Sequence, residues 1–328
     1  MANDKKVRGK PLVKAVVVVI ILVLASVLGI NINDLIPVSD PTTNIPSQTV
    51  QSGSENAAEG ELILTMIDVG QADSFLLEQN GVVALIDCGT ASAGDDVVKY
   101  LQEKGITRID YVFGTHPHDD HMGGMYEVIT NFEVGTVVIP EVTTMKITTA
   151  WYTKLMKEIK TGGYTVDYPE VNEVYSLGDA TMKVLGPIEE PKSNKNNYSI
   201  VLKVTFGEMD VIMTGDAETS LEKDILESGA DLDAEILKMG HHGSDTSSCD
   251  EFLDAVSPEY ALISAGLGNK HEHPIKSIME KLKGRKIEVY RTDESGTVVV
   301  TITSNDAKFS VEPGDYLSGV ELEERESK

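Results

Sequence analysis

The chain has 328 residues, 41% of them hydrophobic, which is enough to bury one large core. Its formal net charge is −25, with 53 acidic residues against 28 basic ones. Surfaces that neutralise the phosphates of duplex DNA depend on Lys and Arg, so this balance does not favour nucleic acid as a partner. We expect one globular domain with appended segments.

The amino-terminal segment predicts membrane targeting. A basic stretch, residues 1–14, precedes the uncharged run AVVVVIILVLASVLGI at 15–30, which as a helix would cross most of a bilayer's hydrocarbon core. Positive charge stays on the cytoplasmic side, so everything after the run should lie outside the cell. We favour a transmembrane signal-anchor over 15–32. A cleaved signal peptide, which would give a secreted protein, is the alternative, with Val23-Leu24-Ala25 as a mediocre cleavage site.

The remaining boundaries follow from composition. Residues 33–60 are rich in Ser, Thr, Pro and Asn and predict a disordered linker. Residues 61–312 contain the periodic apolar runs of a single globular domain. Residues 313–328 predict an acidic, frayed tail that contributes little beyond solubility.

Within the domain, short runs rich in Val, Ile and Thr predict strands, and longer stretches with helical spacing predict helices. The strands are ELILTMIDV, SFLLEQ, VVALIDC, IDYVFGT, VGTVVIP, ATMKVLG, SIVLKVTF, MDVIMTG, AEILKMG, YALISAG, KIEVYRT and GTVVVTI. The helices are GDDVVKYLQEKG, GGMYEVITNF, TAWYTKLMKEIK, AETSLEKDILESG and HPIKSIMEKLKG. Because the opening strands follow one another as hairpins, the α/β (α+β) pattern favours two sheets packed face to face with helices outside.

All seven histidines lie in three clusters that each follow a predicted strand. In THPHDDHMGG, His116 and His118 are two residues apart in extended chain, so both imidazoles can face one cation. Asp120 and His121 begin the next turn and can reach a second cation a few ångströms away.

Two later segments complete this pattern. Asp216 follows the strand MDVIMTG, where a carboxylate can bridge two cations or cap a helix. In KMGHHGS, His241 and His242 diverge, so one should bind metal while the other faces substrate or donates a proton; the sequence leaves their order open. His273 precedes a proline and is a better candidate than His271 for a hydrogen bond to a leaving oxygen or a phosphate.

Cysteine usage is sparse. Cys88 and Cys249 allow at most one disulfide, and two separate thiols are favoured.

These residues, in this order, resemble the metallo-β-lactamase superfamily, and within it the metallohydrolase domain at the carboxyl end of ComEC-type competence proteins. The resemblance covers about residues 62–302. Its motifs are DVGQAD at 68–73, IDCG at 86–89, THPHDDHMGG, NNYS at 196–199, TGD, KMGHHGS, SAGLGN at 264–269, the HP pair at His273 and RTDESG from Arg291.

The resemblance implies an αββα sandwich with a two-metal site along one edge. It implies that His116 and His118 bind one metal, that Asp120 and His121 bind the other, and that Asp216 bridges them, with one of His241 and His242 completing the shell. No histidine occurs between residues 122 and 240, so Asn196 or Asn197 would line the site where many members have another histidine. Since an amide oxygen is a harder ligand than imidazole, zinc and manganese are both admissible.

The resemblance also suggests roles around the metals. We predict catalytic roles for Asp120, His242 and His273, and a substrate pocket formed by Asn196, Asn197, Ser199, Ser244, Asn269 and Arg291.

Two divalent cations lower the pKa of a bound water from about 15.7 toward 7, so hydroxide formed there can attack a phosphoester. His242 or His273 could then protonate the leaving alkoxide. The sequence therefore predicts an extracytoplasmic, membrane-anchored phosphodiesterase for a small or cell-wall-attached substrate. The alternatives are a nuclease in DNA uptake, a lactonase or β-lactamase, and a non-catalytic surface binding module.

Overall fold

The computed structural model of the protein describes residues 60–191 and 193–328. The predicted basic segment, the signal-anchor and nearly all of the linker therefore lie outside the described residues. Among the helices within those two ranges, none is long and apolar enough to cross a membrane.

Two sheets form the centre of the domain, one of eight strands in the order β15-β14-β1-β2-β3-β4-β5-β6 and one of seven in the order β13-β12-β11-β10-β9-β8-β7. The strands are β1 Leu62–Met66, β2 Phe75–Gln79, β3 Val82–Ile86, β4 Arg108–Phe113, β5 Glu133–Val138, β6 Thr165–Asp167, β7 Val174–Leu177, β8 Ala180–Gly186, β9 Val201–Phe206, β10 Met209–Met213, β11 Ile236–Lys238, β12 Tyr260–Ile263, β13 Glu288–Arg291, β14 Val298–Ile302 and β15 Ala307–Phe309.

Helices cover the outer faces of both sheets. They are α1 Gly94–Glu103, α2 Asp119–Met122, α3 Met125–Asn131, α4 Ala150–Thr161, α5 Thr219–Glu227, α6 Asp250–Val256, α7 Lys276–Arg285, α8 Thr292–Ser295 and α9 Gly319–Glu326. Two 3-10 turns, Asn196–Tyr198 and Gly240–Gly243, lie in the loops.

Three apolar layers hold this arrangement together. The central layer joins the two sheets and contains Phe75 and Phe113 from one and Leu202 and Phe206 from the other. The first sheet packs its other face against α1, α3 and α4, and the second packs against α5, α6 and α7. The predicted two-sheet sandwich with outer helices is therefore confirmed.

The first three strands form an antiparallel meander, as the hairpin pattern predicted. Three strands that the sequence did not indicate, β6, β7 and β15, have only three or four residues and lie at the edges of the sheets. Such short edge strands lack the full apolar run of a central strand, which explains why the pattern missed them.

The carboxyl-terminal segment corrects the expectation of a frayed tail. Helix α9 begins at a capping box in which Ser318 and Glu321 satisfy each other's backbone N–H groups. Leu322 is buried, Lys276 pairs with Glu321 at 2.6 Å, and Arg325 pairs with Glu294 at 2.8 Å. The acidic composition concealed an amphipathic helix that packs on the domain.

Both thiols are free, as favoured from the sequence, with Cys88 buried and Cys249 half-buried.

Candidate metal centre

The candidate site lies where loops leave the carboxyl ends of neighbouring strands. Strands β10, β11 and β12 run parallel to one another, and β3 runs parallel to β4. Parallel neighbours bring their following loops to one edge of the sheet. Asp216 follows β10, the His241–His242 pair follows β11, and the THPHDDHMGG loop follows β4, and their side chains meet at a cavity of about 710 Å³.

The THPHDDHMGG loop ends in two glycines because the backbone passes very close to the loop after β3. A Cβ on Gly123 would lie 2.2 Å from the carbonyl oxygen of Asp119 and 2.3 Å from the amide nitrogen of Ala91. One on Gly124 would lie 2.2 Å from the carbonyl oxygen of Cys88. A side chain at either position would push α2, and with it Asp120 and His121, away from the site.

Two sets of side chains in the cavity have donor atoms close enough to hold a cation. The first group is His116, His118 and Asp216, and the second group is Asp120, His121, Asp216 and His242; within each, the ligand atoms lie within 4.8 Å of one another. Asp216 belongs to both, which is the geometry that the proposed bridging role requires.

Buried atoms without hydrogen-bond partners mark the second group. Among the described residues, His121 Nε2, His242 Nε2 and Asp216 Oδ1 are buried and have no hydrogen-bond partner. His121 Nε2 lies 3.2 Å from Asp216 Oδ1, and His242 Nε2 lies 3.6 Å from the same oxygen. Because unpaired buried polar atoms are costly, three of them facing one another indicate a ligand that satisfies all three.

Hydrogen bonds on the far side of each imidazole set the direction of these nitrogens. His121 Nδ1 lies 2.7 Å from Asp87 Oδ2, and His242 Nδ1 lies 2.9 Å from the carbonyl oxygen of Ser264. Both contacts favour a proton on Nδ1, so that when a cation displaces the second proton of each ring, the Nε2 lone pair faces the centre of the group.

In the first group, His116 Nε2 lies 3.0 Å from His118 Nδ1 and 3.7 Å from Asp216 Oδ2. Ser199 stands behind this group: its hydroxyl lies 3.3 Å from His116 Nδ1 and accepts a hydrogen bond from the Asp216 amide at 3.0 Å. The hydroxyl therefore positions two members of the group and does not face the cavity.

The two asparagines that the sequence left undecided occupy different places. Asn196 lines the cavity, donates from Nδ2 to Glu218 Oε1 at 2.7 Å, and has a buried Oδ1 without a partner among residues 60–191 and 193–328. Asn197 instead donates to the Ser220 hydroxyl at 2.6 Å and accepts from the Glu218 amide at 3.0 Å. Asn196 is thus the asparagine that offers an unpartnered amide oxygen at the cavity.

A strained turn separates the two adjacent histidines. His241 and His242 both have left-handed backbone conformations, with φ of 50° and 55°, which costs a non-glycine residue about 1–2 kcal/mol. The turn directs His242 into the second group. His241 is partly exposed at the cavity, with Nε2 3.7 Å from Asp216 Oδ2 and Nδ1 3.0 Å from the Thr246 hydroxyl.

Burial and charge shift the imidazole pKa values of the two groups in opposite directions. Burial lowers the pKa of His116, His118 and His241. Burial also acts to lower the pKa of His121 and His242, but neighbouring carboxylates outweigh it. Asp216 and Asp87 raise the pKa of His121 well above its ordinary value. Asp216 and Asp73 raise the pKa of His242 to about 10.

The carboxylates respond in the opposite sense. Burial alone would raise the pKa of Asp216 and Asp120, but the neighbouring imidazoles His121 and His242 outweigh burial and lower both. These acids are therefore ionised at neutral pH and available as ligands.

The loop after β12 forms the opposite wall of the cavity. Asn269 fixes this wall, because its Oδ1 accepts from the His273 amide at 3.1 Å and its Nδ2 donates to the His273 carbonyl at 2.6 Å. His273 Nδ1 lies 3.5 Å from Gln71 Nε2. Burial and the nearby His241 and His242 lower the pKa of His273 to about 3, so this imidazole is neutral at pH 7. The exposed His271 lies beside it and also lines the cavity.

Four residues predicted for the substrate pocket lie elsewhere, which corrects their assignment. Ser199 and Asn197 support neighbouring loops, as described above. Ser244 is buried and accepts hydrogen bonds from the Thr246 amide and hydroxyl. Arg291 is fully buried, where it pairs with Asp293 at 2.6 Å and donates to the Leu317 carbonyl. Arg291 therefore joins the carboxyl-terminal segment to the domain and does not line the cavity.

Three buried charged residues of the site were not predicted. Asp87 accepts from His121 and from the Thr115 amide and hydroxyl, both at 2.8 Å. Asp73 lies between His242 and a buried lysine, Lys238. The signal for both acids was present in the motifs IDCG and DVGQAD, whereas Lys238 occurs in the short run AEILKMG, where nothing marked it as buried.

The donors present fit divalent cations. Each group combines imidazole nitrogens with carboxylate oxygens, and neither includes a thiolate. Such mixed nitrogen and oxygen sets suit zinc and manganese.

Comparisons with known proteins agree with this geometry. The sequence profile of the metallo-β-lactamase superfamily matches residues 67–266. ComE operon protein 3 of Bacillus subtilis is 30% identical over 275 residues, which cover 78% of this chain and 35% of that protein. Competence protein ComA of Neisseria gonorrhoeae is 30% identical over 254 residues, which cover 74% of this chain and 33% of that protein.

The resemblance to ComEC-type competence proteins is thereby confirmed, and the chain spans about a third of the length of these relatives. Among solved structures, CmlA, a diiron β-hydroxylase from Streptomyces venezuelae, superposes with a TM-score of 0.51 at 16% identity, covering 75% of this chain and 54% of that one. That likeness concerns the fold alone.

Proposed function

Because this chain belongs to the metallo-β-lactamase superfamily, we propose that it is a two-metal hydrolase that cleaves phosphodiesters outside the cell. The observation that carries the proposal is the convergence of the unpartnered atoms His121 Nε2, His242 Nε2 and Asp216 Oδ1 at the floor of an open cavity. Three ligand atoms kept free in a buried place are what a catalytic cation needs.

His116, His118 and Asp216 would hold one divalent cation, with the Asn196 amide oxygen beside it. Asp120, His121, Asp216 and His242 would hold the other. When bound, the two cations supply an activated water and offset the charge that develops on the phosphoryl oxygens.

The chain's own residues supply orientation and proton transfer. Asp120 is ionised and partly exposed to the cavity, so it can accept a hydrogen bond from the attacking water. His273 and His241 are neutral and can donate hydrogen bonds to phosphoryl oxygens or to the leaving oxygen. Because His242 Nε2 faces Asp120 and Asp216, His273 is better placed than His242 to meet the leaving oxygen. The His273 imidazole is neutral at pH 7, so it would donate a hydrogen bond to that oxygen, and the proton that completes the alcohol would come from water.

The substrate that we favour is small or attached to the cell wall. The cavity is open, and Lys270 is the one Lys or Arg among the described residues that line it. The net charge of −25 works against a long polyanion. A single phosphodiester needs far fewer cationic contacts.

The second candidate is a nuclease. Two of the similar proteins are named competence protein ComA and recombination protein 2. A phosphodiester is also the bond that a nuclease cleaves, so the same groups would serve either substrate.

We also propose attachment to the cell membrane through residues 15–32, with the domain outside. The support is the uncharged run behind a basic segment.

The test uses the full chain loaded with Mn²⁺ or with Zn²⁺. We expect turnover of bis-p-nitrophenyl phosphate, and its loss in Asp120→Ala and His118→Ala. Asp95→Asn, a change at an exposed acid in the first turn of α1, is the control and should leave turnover unchanged. If DNA is cleaved much faster than the diester, the nuclease is the better proposal. If the chain binds metal but turns over no ester, a non-catalytic binding module is supported.

A further inference from the structure

A lysine lies completely buried behind the metal centre. Lys238 occupies the last position of β11, three residues before His241, and is 1% exposed. Its ammonium group lies 2.8 Å from Asp73 Oδ2, donates to the Met239 carbonyl at 2.8 Å and donates to the Gly215 carbonyl at 3.3 Å. Lysines are almost never buried without a charged partner, so Asp73 and Lys238 form one unit.

That unit contacts each loop that carries the second group, and the Asp73 amide donates to the Asp120 carbonyl at 3.0 Å. Gly215 immediately precedes Asp216, and Met239 begins the turn that presents His242. Asp73 Oδ1 in turn lies 3.2 Å from His242 Nδ1. The lysine therefore joins three separate stretches of chain at a single atom.

Asp73 is also close to becoming a ligand itself. Asp73, Asp87 and His121 form a third set with ligand atoms within 4.8 Å of one another. Without a positive charge next to it, Asp73 would be an additional buried carboxylate beside His121, one that neither metal-binding group needs. The Lys238 ammonium group supplies this positive charge, 2.8 Å from Asp73 Oδ2.

We propose that Lys238 is a positioning residue whose buried charge neutralises Asp73, keeps that carboxylate out of the metal-binding set, and so maintains the second group. The inference rests on the metal centre of the proposed function. It differs from a purely mechanical role, in which only the hydrogen bonds to Met239 and Gly215 would matter.

A double substitution separates these roles. Breaking a buried ion pair from one side leaves an unpaired charge, whereas removing both charges is often neutral. We expect Lys238→Met in the full chain to lower the affinity for Mn²⁺ alone by about 10–100-fold, and to lower the melting temperature of the metal-free protein. Adding Asp73→Asn, which keeps an acceptor facing His242, should restore both quantities most of the way.

Lys203→Met is the matched control, because Lys203 is also buried on a strand of the same sheet but pairs with Asp210 and Asp231, each at 2.9 Å. Its Mn²⁺ affinity should equal that of the unmodified chain. If Lys238→Met does not fold, folding of the double variant is itself the rescue.

Two results would overturn the inference: Lys238→Met binding Mn²⁺ as the unmodified chain does, or a double variant no better than Lys238→Met in both measurements. An unmodified chain that binds no Mn²⁺ would refute the proposed function instead. In that case the melting temperatures alone test whether Lys238 neutralises Asp73. A higher melting temperature for the double variant than for Lys238→Met would support this role, and equal melting temperatures would refute it.

Discussion

The two halves of the metal centre share Asp216 but are built differently. In the second group, His121 and His242 are buried and each has a hydrogen-bond acceptor at its Nδ1, in Asp87 and Ser264. In the first group, His118 is partly exposed, and the nearby Asn196 lines the same cavity with an amide group. A hydrogen-bond acceptor behind an imidazole makes the ring a stronger metal ligand, but it also makes the ring bind protons more tightly. The two halves should therefore respond differently to pH, to the type of metal and to substitution.

The largest effect should come from the residue that the halves share. Asp216→Ala removes a ligand from both groups, so we expect both cations to be lost and kcat/KM on bis-p-nitrophenyl phosphate to fall roughly a thousandfold or more. Metal content measured after gel filtration, together with kinetics, checks this. Retention of two equivalents would refute the bridging role.

A change behind the second group should affect that group alone. Asp87→Asn weakens the acceptor at His121 Nδ1, and such supporting contacts are typically worth 10–100-fold in metal affinity. We expect one of two Mn²⁺ binding steps to weaken by about that factor while the other stays within about threefold. Equal weakening of both steps in a calorimetric titration would show that the halves are not independent.

The metal affinities of the two groups should also differ in their dependence on pH. In the metal-free protein the raised pKa values of His121 and His242, the latter about 10, leave both rings protonated at pH 7, so binding to the second group must displace protons. His116 and His118, whose pKa values are lowered, are already neutral. From pH 8 to pH 6, affinity should fall about tenfold per pH unit for each displaced proton at the second group, and hardly change at the first. Calorimetry in buffers of different ionisation enthalpy counts the protons; equal release from both steps would contradict this.

The smallest effect concerns metal preference at the first group. Asn196→His replaces the free amide oxygen by imidazole, which should raise the preference for Zn²⁺ over Mn²⁺ by about tenfold. Asn197→His is the matched control, since Asn197 faces Ser220 and should leave the preference unchanged. If both variants shift it equally, Asn196 has no special place beside the metal.

Much of this site followed from sequence because its ligands lie in compact motifs after strands. The period of the apolar runs indicated two sheets, and the spacing in THPHDDH placed His116, His118, Asp120 and His121 together. The choice between His241 and His242 depended on a left-handed turn, and backbone strain of that kind leaves no periodic signature.

Other features were out of reach because they depend on distant contacts. Asp73 and Lys238 are 165 positions apart in the chain, and only the packed sheets bring them within 2.8 Å. Arg291 looked like a substrate ligand within its motif, yet its partners are Asp293 and the carbonyl of Leu317. A motif identifies that a residue matters more readily than it identifies what the residue touches.

The carboxyl-terminal helix has a consequence for how the molecule can be divided. The Gly319 amide donates to the Pro274 carbonyl at 2.9 Å, and a Cβ on Gly319 would lie 2.3 Å from the carbonyl oxygen of His273. Helix α9 therefore packs against the backbone of the wall that presents His273 to the cavity, and supports that wall from behind. Truncation of the chain at residue 312 would remove this support for His273, whereas a tag fused after residue 328 would keep it.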